Sequence, residues 1–276
     1  MADDNGKYKE FRFPKHRELL GTLAGLGPKH PIEVLTEFDV SKARACIRKH
    51  KEKTGETLSF TAWLITCIAQ AVSEYKQVQA YRKGRRLIVF DDVDVGFTME
   101  RESKNGGMVA GAIVRQANEK TVRQIHEEIR ASQTEDVTHG PIVGEEKEAK
   151  FAGFIQSMPG ILRRVAVWRY RRDPFLRKKT QGTVGITSVG TILGESAGML
   201  AFPIVSGPYP LFFGVSGTTK KPGIGDNRIE VRDYLPMSVM LDHDAVDGAE
   251  AARFLSRLGE LLKTAYGLEI IEPVSD

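Results

Sequence analysis

Residues 59–75 read SFTAWLITCIAQAVSEY, a stretch that is apolar on most of its sides. A helix of this kind has no face to give to water, so other elements must bury it. It is shorter than the roughly 18 to 20 apolar residues needed to cross a bilayer, and no other stretch approaches that length. The cover must therefore come from the chain itself. With 276 residues and a 41% apolar share, the chain is large enough to build such a core, as one large domain or two small ones.

The elements around that helix alternate in kind. Residues 15–24 (KHRELLGTLA) predict a short helix, stopped by Gly25-Leu26-Gly27-Pro28. Residues 31–39 (PIEVLTEFD) alternate apolar and polar, the mark of a half-buried strand. Ser41 reads as the cap of a helix running to about Lys53 and closed by Gly55. Strand-like runs follow at 86–90, 93–99 and 108–114, the last two joined by the hairpin signal Asn105-Gly106-Gly107. A helix is expected over 119–131, strands over 182–188, 211–215 and 228–241, and a closing helix over 248–265. Helices alternating with antiparallel strands point to a mixed α+β layer fold. No GxGxxG or GxxxxGK[ST] loop is present, so the sequence gives no reason to propose a nucleotide-dependent dehydrogenase or ATPase.

Cys46 and Cys67 do not form a CxxC pair and both fall in predicted helices. They read as small buried hydrophobes in a reducing compartment. The first sixteen residues, MADDNGKYKEFRFPKH, have neither the apolar run of a signal peptide nor the acid-free bias of a transit peptide, so a cytoplasmic protein is expected. The net charge of +4 is uneven. Arg163, Arg164, Arg169, Arg171, Arg172, Arg177, Lys178 and Lys179 stand against the single Asp173, about +7 in all, which leaves about −3 elsewhere. Charge this local, without a reading motif, argues against nucleic acid as a partner. The segment 161–179 reads either as a solvated helix face or, with Val165, Val167, Trp168 and Tyr170 among the arginines, as an amphipathic helix on an anionic membrane surface.

Residues 241–248, LDHDAVDG, set His243 among three carboxylates at the end of an apolar strand. Three readings compete. In the first, Asp247 with Glu250 three residues on is a capping box, and His243 is a strand-end residue with a satisfied hydrogen bond. In the second, His243 and Asp247 begin a metal site. On a strand Asp242 and Asp244 would point away from His243, and the histidines at 16, 30, 50, 126 and 139 show no HxxxH or HxH spacing. No metal is therefore expected. In the third, the imidazole is a general base titrating near working pH, able to take a proton from a thiol or hydroxyl brought to it.

HDAVDG resembles the HxxxDG signature shared by chloramphenicol acetyltransferases, peptide-synthetase condensation domains and dihydrolipoamide acyltransferases. The remaining segments are similar to the last of these, the catalytic domain of the 2-oxoacid dehydrogenase acyltransferases. They are KHRELLGTLA, IEVLTEFDVSKARACIRKH, LSFTAWLITCIAQAVSEY, DVDVGFTME, GGMVAGAIVRQANEKTVRQIHEEI, GTVGITSVG and DHDAVDGAEAARFLSRLGELL, in that order. The likeness implies a two-layer chloramphenicol acetyltransferase-like fold, a mixed sheet with helices packed on one side. It would fill a single domain over 16–276, after a tail at 1–15 and with an atypical basic insertion at about 134–181. A condensation-type synthase would need a second related domain, for which the chain is too short.

The resemblance also implies a chemistry. His243 falls on the family's general base. Thr187 falls where a serine donates a hydrogen bond to the oxyanion, with Ser188 in reserve. Asp247 falls on a structural partner of the active-site turn, and Arg17 is placed to pair with it. Asp244 stands where the family has arginine. The implied reaction is thioester exchange between coenzyme A and a dihydrolipoyl-type or other thiol, with acyl-CoA as substrate and no bound metal. The implied assembly is a homotrimer, or an assembly of trimers, whose histidine and hydroxyl come from different chains. The sequence holds no lipoyl segment, so a free-standing catalytic domain served by a separate lipoyl or acyl-carrier protein is expected. The basic segment gains a third reading, attraction of coenzyme A phosphates or of an acidic carrier. The alternative function is a catalytically silent trimeric scaffold on the same fold, suggested by Asp244 and the missing lipoyl region.

Overall fold

Pro31–Asp39 forms strand β1 over the whole of the predicted alternating stretch. The computed structural model describes residues 21–22, 24–101, 108–134, 160–189, 200–225 and 227–268. After β1 come helices α1 (Ser41–Thr54) and α2 (Phe60–Glu74), then a small ribbon of β2 (Tyr81–Lys83) and β3 (Arg86–Ile88). The hairpin β4 (Val95–Arg101) and β5 (Met108–Val114) leads to helix α3 (Val122–Thr134). Helices α4 (Gly160–Arg172) and α5 (Pro174–Gln181) precede β6 (Val184–Ser188), β7 (Leu211–Val215), β8 (Thr219–Gly225), β9 (Arg228–Asp242) and helix α6 (Gly248–Thr264).

The main sheet runs β1-β9-β7-β6-β4-β5, with β8 on the far half of β9. Strand β6 is parallel to both β4 and β7, and the other pairings are antiparallel. The sheet is mixed, as expected. Successive side chains alternate between its faces. Val95, Phe97, Ile186, Phe213, Val239 and Leu241 belong to one buried core together with Ala43 of α1, Trp63 and Ile68 of α2, Ile125 of α3, and Phe254 and Leu258 of α6. Each large side chain so buried contributes roughly 1.5–3 kcal/mol by leaving water. The predicted burial of α2 holds, with Trp63, Ile65, Cys67 and Ile68 wholly out of solvent. Ser59 caps it by accepting from the Ala62 N–H at 3.3 Å.

The other face is covered differently. Phe212 and Met240 pack with Val205 and Tyr209 in a second small cluster, so the 200–210 segment lies across the sheet. It can do so because positions 96 and 185 are glycine. A Cβ at Gly96 would strike the Tyr209 hydroxyl, and one at Gly185 the Tyr209 and Phe212 rings.

The structure departs from expectation in four places. Ser41 is not a cap: the N-cap is Val40, and Ser41 donates from its N–H and hydroxyl to Asp39 Oδ1 at 3.0 and 2.6 Å. Its hydroxyl also accepts from the Asp233 N–H at 2.8 Å, tying the α1 start to β9. Strand β8 was hidden by Pro222, Gly223 and Gly225; its proline is tolerated because, among the described residues, β8 pairs with β9 alone. The ribbon partner β2 was also missed. The basic segment is two helices, broken where Asp173 caps α5 through the Phe175 and Leu176 N–H groups and Pro174 starts it. No described helix is long and apolar enough to cross a membrane. The tail 1–15 and Arg17 lie outside the described residues, as do 135–159 of the expected insertion.

Candidate active site

Strand β9 stops at Asp242, which faces Pro31 of β1. The chain then turns sharply, with the Ala245 and Val246 N–H groups donating to the Asp242 carbonyl at 2.9 and 3.2 Å. Both flanks hold this turn. The Asp242 N–H donates to the Pro210 carbonyl and the His243 N–H to the His30 carbonyl, each at 2.9 Å. Gln77 Nε2 donates to the Ala245 carbonyl at 3.2 Å. The main chain of His243 is thus fixed while the residue itself stands exposed. An imidazole so held is available to a substrate rather than sealed in the core.

Asp247 follows as the N-cap of α6. Its Oδ1 accepts from the Glu250 N–H at 2.8 Å, and Glu250 Oε2 accepts from the Asp247 N–H at 3.1 Å. This reciprocal pair is the capping box predicted from the sequence, and it fixes the helix directly after the histidine turn.

The alternating-face geometry assumed for Asp242 and Asp244 does not apply, because the strand ends first. Asp242 Oδ1 instead accepts from the Asp244 N–H at 3.0 Å, and burial pushes the Asp242 carboxyl above the ordinary carboxylate range. Asp244 Oδ2 takes Arg82 Nη1 at 2.8 Å, and its Oδ1 lies 3.1 Å from His30 Nδ1. The Arg82 hydrogen bond first, then that of His30, hold the Asp244 carboxyl below its ordinary value. Neither His30 nor Arg82 was singled out from the sequence; both lie far from the motif along the chain. Among the described residues no three His, Cys, Asp or Glu side chains converge as metal ligands. Cys46 and Cys67 are unbridged, and burial pushes the Cys67 thiol well above its usual range.

Thr187 and Ser188 end β6, both half-buried. Thr187 Oγ1 lies 2.9 Å from Thr98 Oγ1 of β4, a partner no local motif announced. Strand alternation puts Thr187 on the face of Gly185 and Ser188 on the opposite face, that of the core residue Ile186. Register then locates Thr187 against His243. Thr187 opposes Gly214, which opposes Ser238. From Ser238 to Asp242 is about 13 Å of strand, and two spacings of ~4.8 Å separate β6 from β9, so Thr187 stands about 16 Å from the His243 turn. One chain does not bring the two side chains together.

The model of the 2-oxoacid dehydrogenases acyltransferase (catalytic domain) family matches residues 31–140 and 176–269. The chain belongs to this family. Among its relatives, the acetyltransferase component of the pyruvate dehydrogenase complex of Cupriavidus necator is 26% identical over 228 residues, 83% of this chain and 34% of that protein. The lipoamide acyltransferase component of the branched-chain alpha-keto acid dehydrogenase complex of Bacillus subtilis is 22% identical over 235 residues, 83% of this chain and 46% of its own length. The chain thus spans between a third and a half of the curated acyltransferases it matches over most of its length. Among solved structures, the cubic core of a pyruvate dehydrogenase multienzyme complex superposes with a TM-score of 0.65 at 22% identity, covering 96% of each chain. An Azotobacter vinelandii dihydrolipoamide acetyltransferase, studied for the roles of a serine, a histidine and an asparagine in catalysis, gives 0.64 at 22% identity, covering 96% of this chain and 95% of its own. The two-layer α+β fold is that of these acyltransferase cores.

Proposed function

We propose that the protein is a coenzyme A-dependent acyltransferase that exchanges an acyl group between thioesters, one thiol being coenzyme A and the other a dihydrolipoyl-type or similar arm. His243 is the base. It removes the proton of the incoming thiol, the thiolate attacks the thioester carbonyl, and the tetrahedral oxyanion collapses as His243 returns the proton to the departing thiolate. Thr187 donates to the oxyanion. In the Thr98–Thr187 pair one hydroxyl donates to the other; with Thr98 as donor, the Thr187 proton is free for the oxyanion. Asp247 acts through the helix it caps, as a positioning residue.

The observation that carries this reading is the exposed His243 on a main chain pinned from both sides. The register supports a site completed by a second copy, since base and hydroxyl donor stand at separate places on one sheet. A homotrimer, or an assembly of trimers, fits that requirement. The outer half of the β8–β9 ribbon offers a surface for the neighbouring copy, with Ile224, Ile229 and Val231 at 80%, 81% and 74% exposure. A lipoyl or acyl-carrier arm is the partner this chemistry calls for.

The test is thiol release from a panel of acyl-CoA thioesters with dihydrolipoamide as acceptor. His243→Ala is expected to abolish turnover, and Thr187→Val to cost about a hundred- to a thousandfold, or roughly 3–4 kcal/mol. Full activity in folded His243→Ala protein refutes the assignment. Inactivity of the wild type with every acyl-CoA favours the scaffold reading.

A further inference from the structure

Helix α4 carries a surface the acyltransferase reading does not use. At about 100° per residue, Leu162, Val165, Trp168, Arg169, Arg171 and Arg172 fill one half of its circumference. All six are exposed, with Leu162, Val165 and Trp168 at 56%, 57% and 55%. The opposite half presents Ala166, Val167 and Tyr170, all half-buried. There the Tyr170 hydroxyl donates to Gln181 Oε1 at 2.7 Å, docking the helix onto the end of α5. On the outer half the Arg172 guanidinium lies 4.1 Å from the centre of the Trp168 ring, so cation and aromatic share one site. Most of α4's neighbourhood is also outside the family pattern: residues 141–175 fall between the two matched stretches.

We propose that the outer face of α4 binds an anionic lipid surface, with Leu162, Val165 and Trp168 entering the boundary between headgroups and acyl chains and the arginines pairing with lipid phosphates. The combination selects this partner. A polynucleotide could stack a base on Trp168 but would leave Leu162 and Val165 in water, and an acidic protein would need an apolar recess shaped to this convex stripe. A second copy of the same face would set arginine against arginine. A free phosphate ligand calls for a concave cradle, and this face is the convex side of a helix. At a lipid interface both halves of the chemistry are used: tryptophan favours the headgroup level, and arginines reach past apolar neighbours to the phosphates.

Flotation of the full chain with vesicles tests it. Binding is expected to vesicles of phosphatidylcholine mixed with phosphatidylglycerol, not to phosphatidylcholine alone. Arg169→Gln and Arg172→Gln should each lower partition about fivefold. The chain has two tryptophans, and Trp63 is wholly buried, so lipid-dependent fluorescence reports on Trp168. Brominated lipid should quench it, and Trp168→Ser should remove both the quenching and most of the binding. The proposal is overturned by failure to float with the anionic vesicles, or by binding that these three surface variants leave unchanged. Binding without quenching also overturns it, since the apolar stripe would then stay in water. A loss of oligomer mass in Val165→Ser or Trp168→Ser would make the face a copy–copy contact instead.

Discussion

If base and oxyanion donor come from two copies, two crippled chains should repair each other. Thr187 stands about 16 Å from the His243 turn within one chain, by strand register. The base must reach the attacking sulfur and the donor must lie about 3 Å from the oxyanion, so both side chains must flank one thioester within a few ångströms. A fold this well packed cannot bend its own sheet to close that gap. In a ring of copies, each site would take its histidine from one chain and its threonine from the next. Random one-to-one mixing of His243→Ala and Thr187→Val chains then gives each site an even chance of either component, and about one quarter of sites receive both. The Thr187→Val parent alone retains only about a hundredth to a thousandth of the rate, and the His243→Ala parent essentially none. The mixture should therefore exceed either parent by at least about 25-fold. Co-expression with two affinity tags, sequential purification and thiol release per active site measure this directly. A mixed assembly no more active than the average of its parents refutes the shared site and the reasoning from register.

Two further outcomes follow from the local geometry. Replacing Asp247 by alanine removes the α6 cap and should cost about 1 kcal/mol, roughly 2–4 °C in Tm for a domain of this size, whereas Asp247→Asn keeps an acceptor oxygen and should restore both Tm and activity. A stable but inactive Asp247→Asn protein would show that the charge itself acts in the reaction, against the positioning role. His126 Nδ1 accepts the Ser59 N–H at 3.1 Å; burial first, and the Arg130 charge next, depress its pKa below the ordinary 6.5 against the opposing pull of Glu56 and Glu127. As pH falls below about 6.5, the unfolded chain takes up a proton that the folded chain resists, so stability is lost through the window down to the folded pKa. Thermal melts from about pH 7.5 to 5.5 should show a steeper loss for wild type than for His126→Gln, and equal slopes would remove the group from the account.

Much of the fold could be read directly because it is local. Strand β1 follows its apolar-polar alternation, β7 its short apolar run, and the capping box at Asp247 and Glu250 needs only four consecutive residues. The HxxxDG motif and the segment ending in Thr187 could be read for the same reason. What stayed hidden depends on register and on contacts between distant segments. Thr98 meets Thr187 only because β4 lies beside β6 in the finished sheet. Strand β8 is built from residues that locally signal a turn, and its pairing with β9 overrides them. Ser41 lost its expected role because its own N–H and hydroxyl are turned toward the Asp39 carboxylate two residues earlier. Motif spacing could suggest which groups react. The resemblance implied that they come from different chains, and the order of strands sets them about 16 Å apart within one.

The charge reversal at position 244 bears on whether the turn can still serve a base. An unpaired carboxylate beside a general base would leave an uncompensated negative charge where a thiolate has to form. Asp244 is not unpaired. Arg82 of β2 lies 2.8 Å from one oxygen and His30, from the loop before β1, lies 3.1 Å from the other. The same His30 accepts the His243 N–H through its carbonyl, so one residue anchors both the neutralised carboxylate and the main chain of the base. Local charge is balanced by the opposite arrangement of signs, with the acid on the turn and the arginine across from it. The acidic residue at position 244 is thus absorbed by ion pairing that joins three segments around His243. The brace leaves the imidazole exposed and the neighbouring carboxylate paired, which is what the proposed base role requires of this turn.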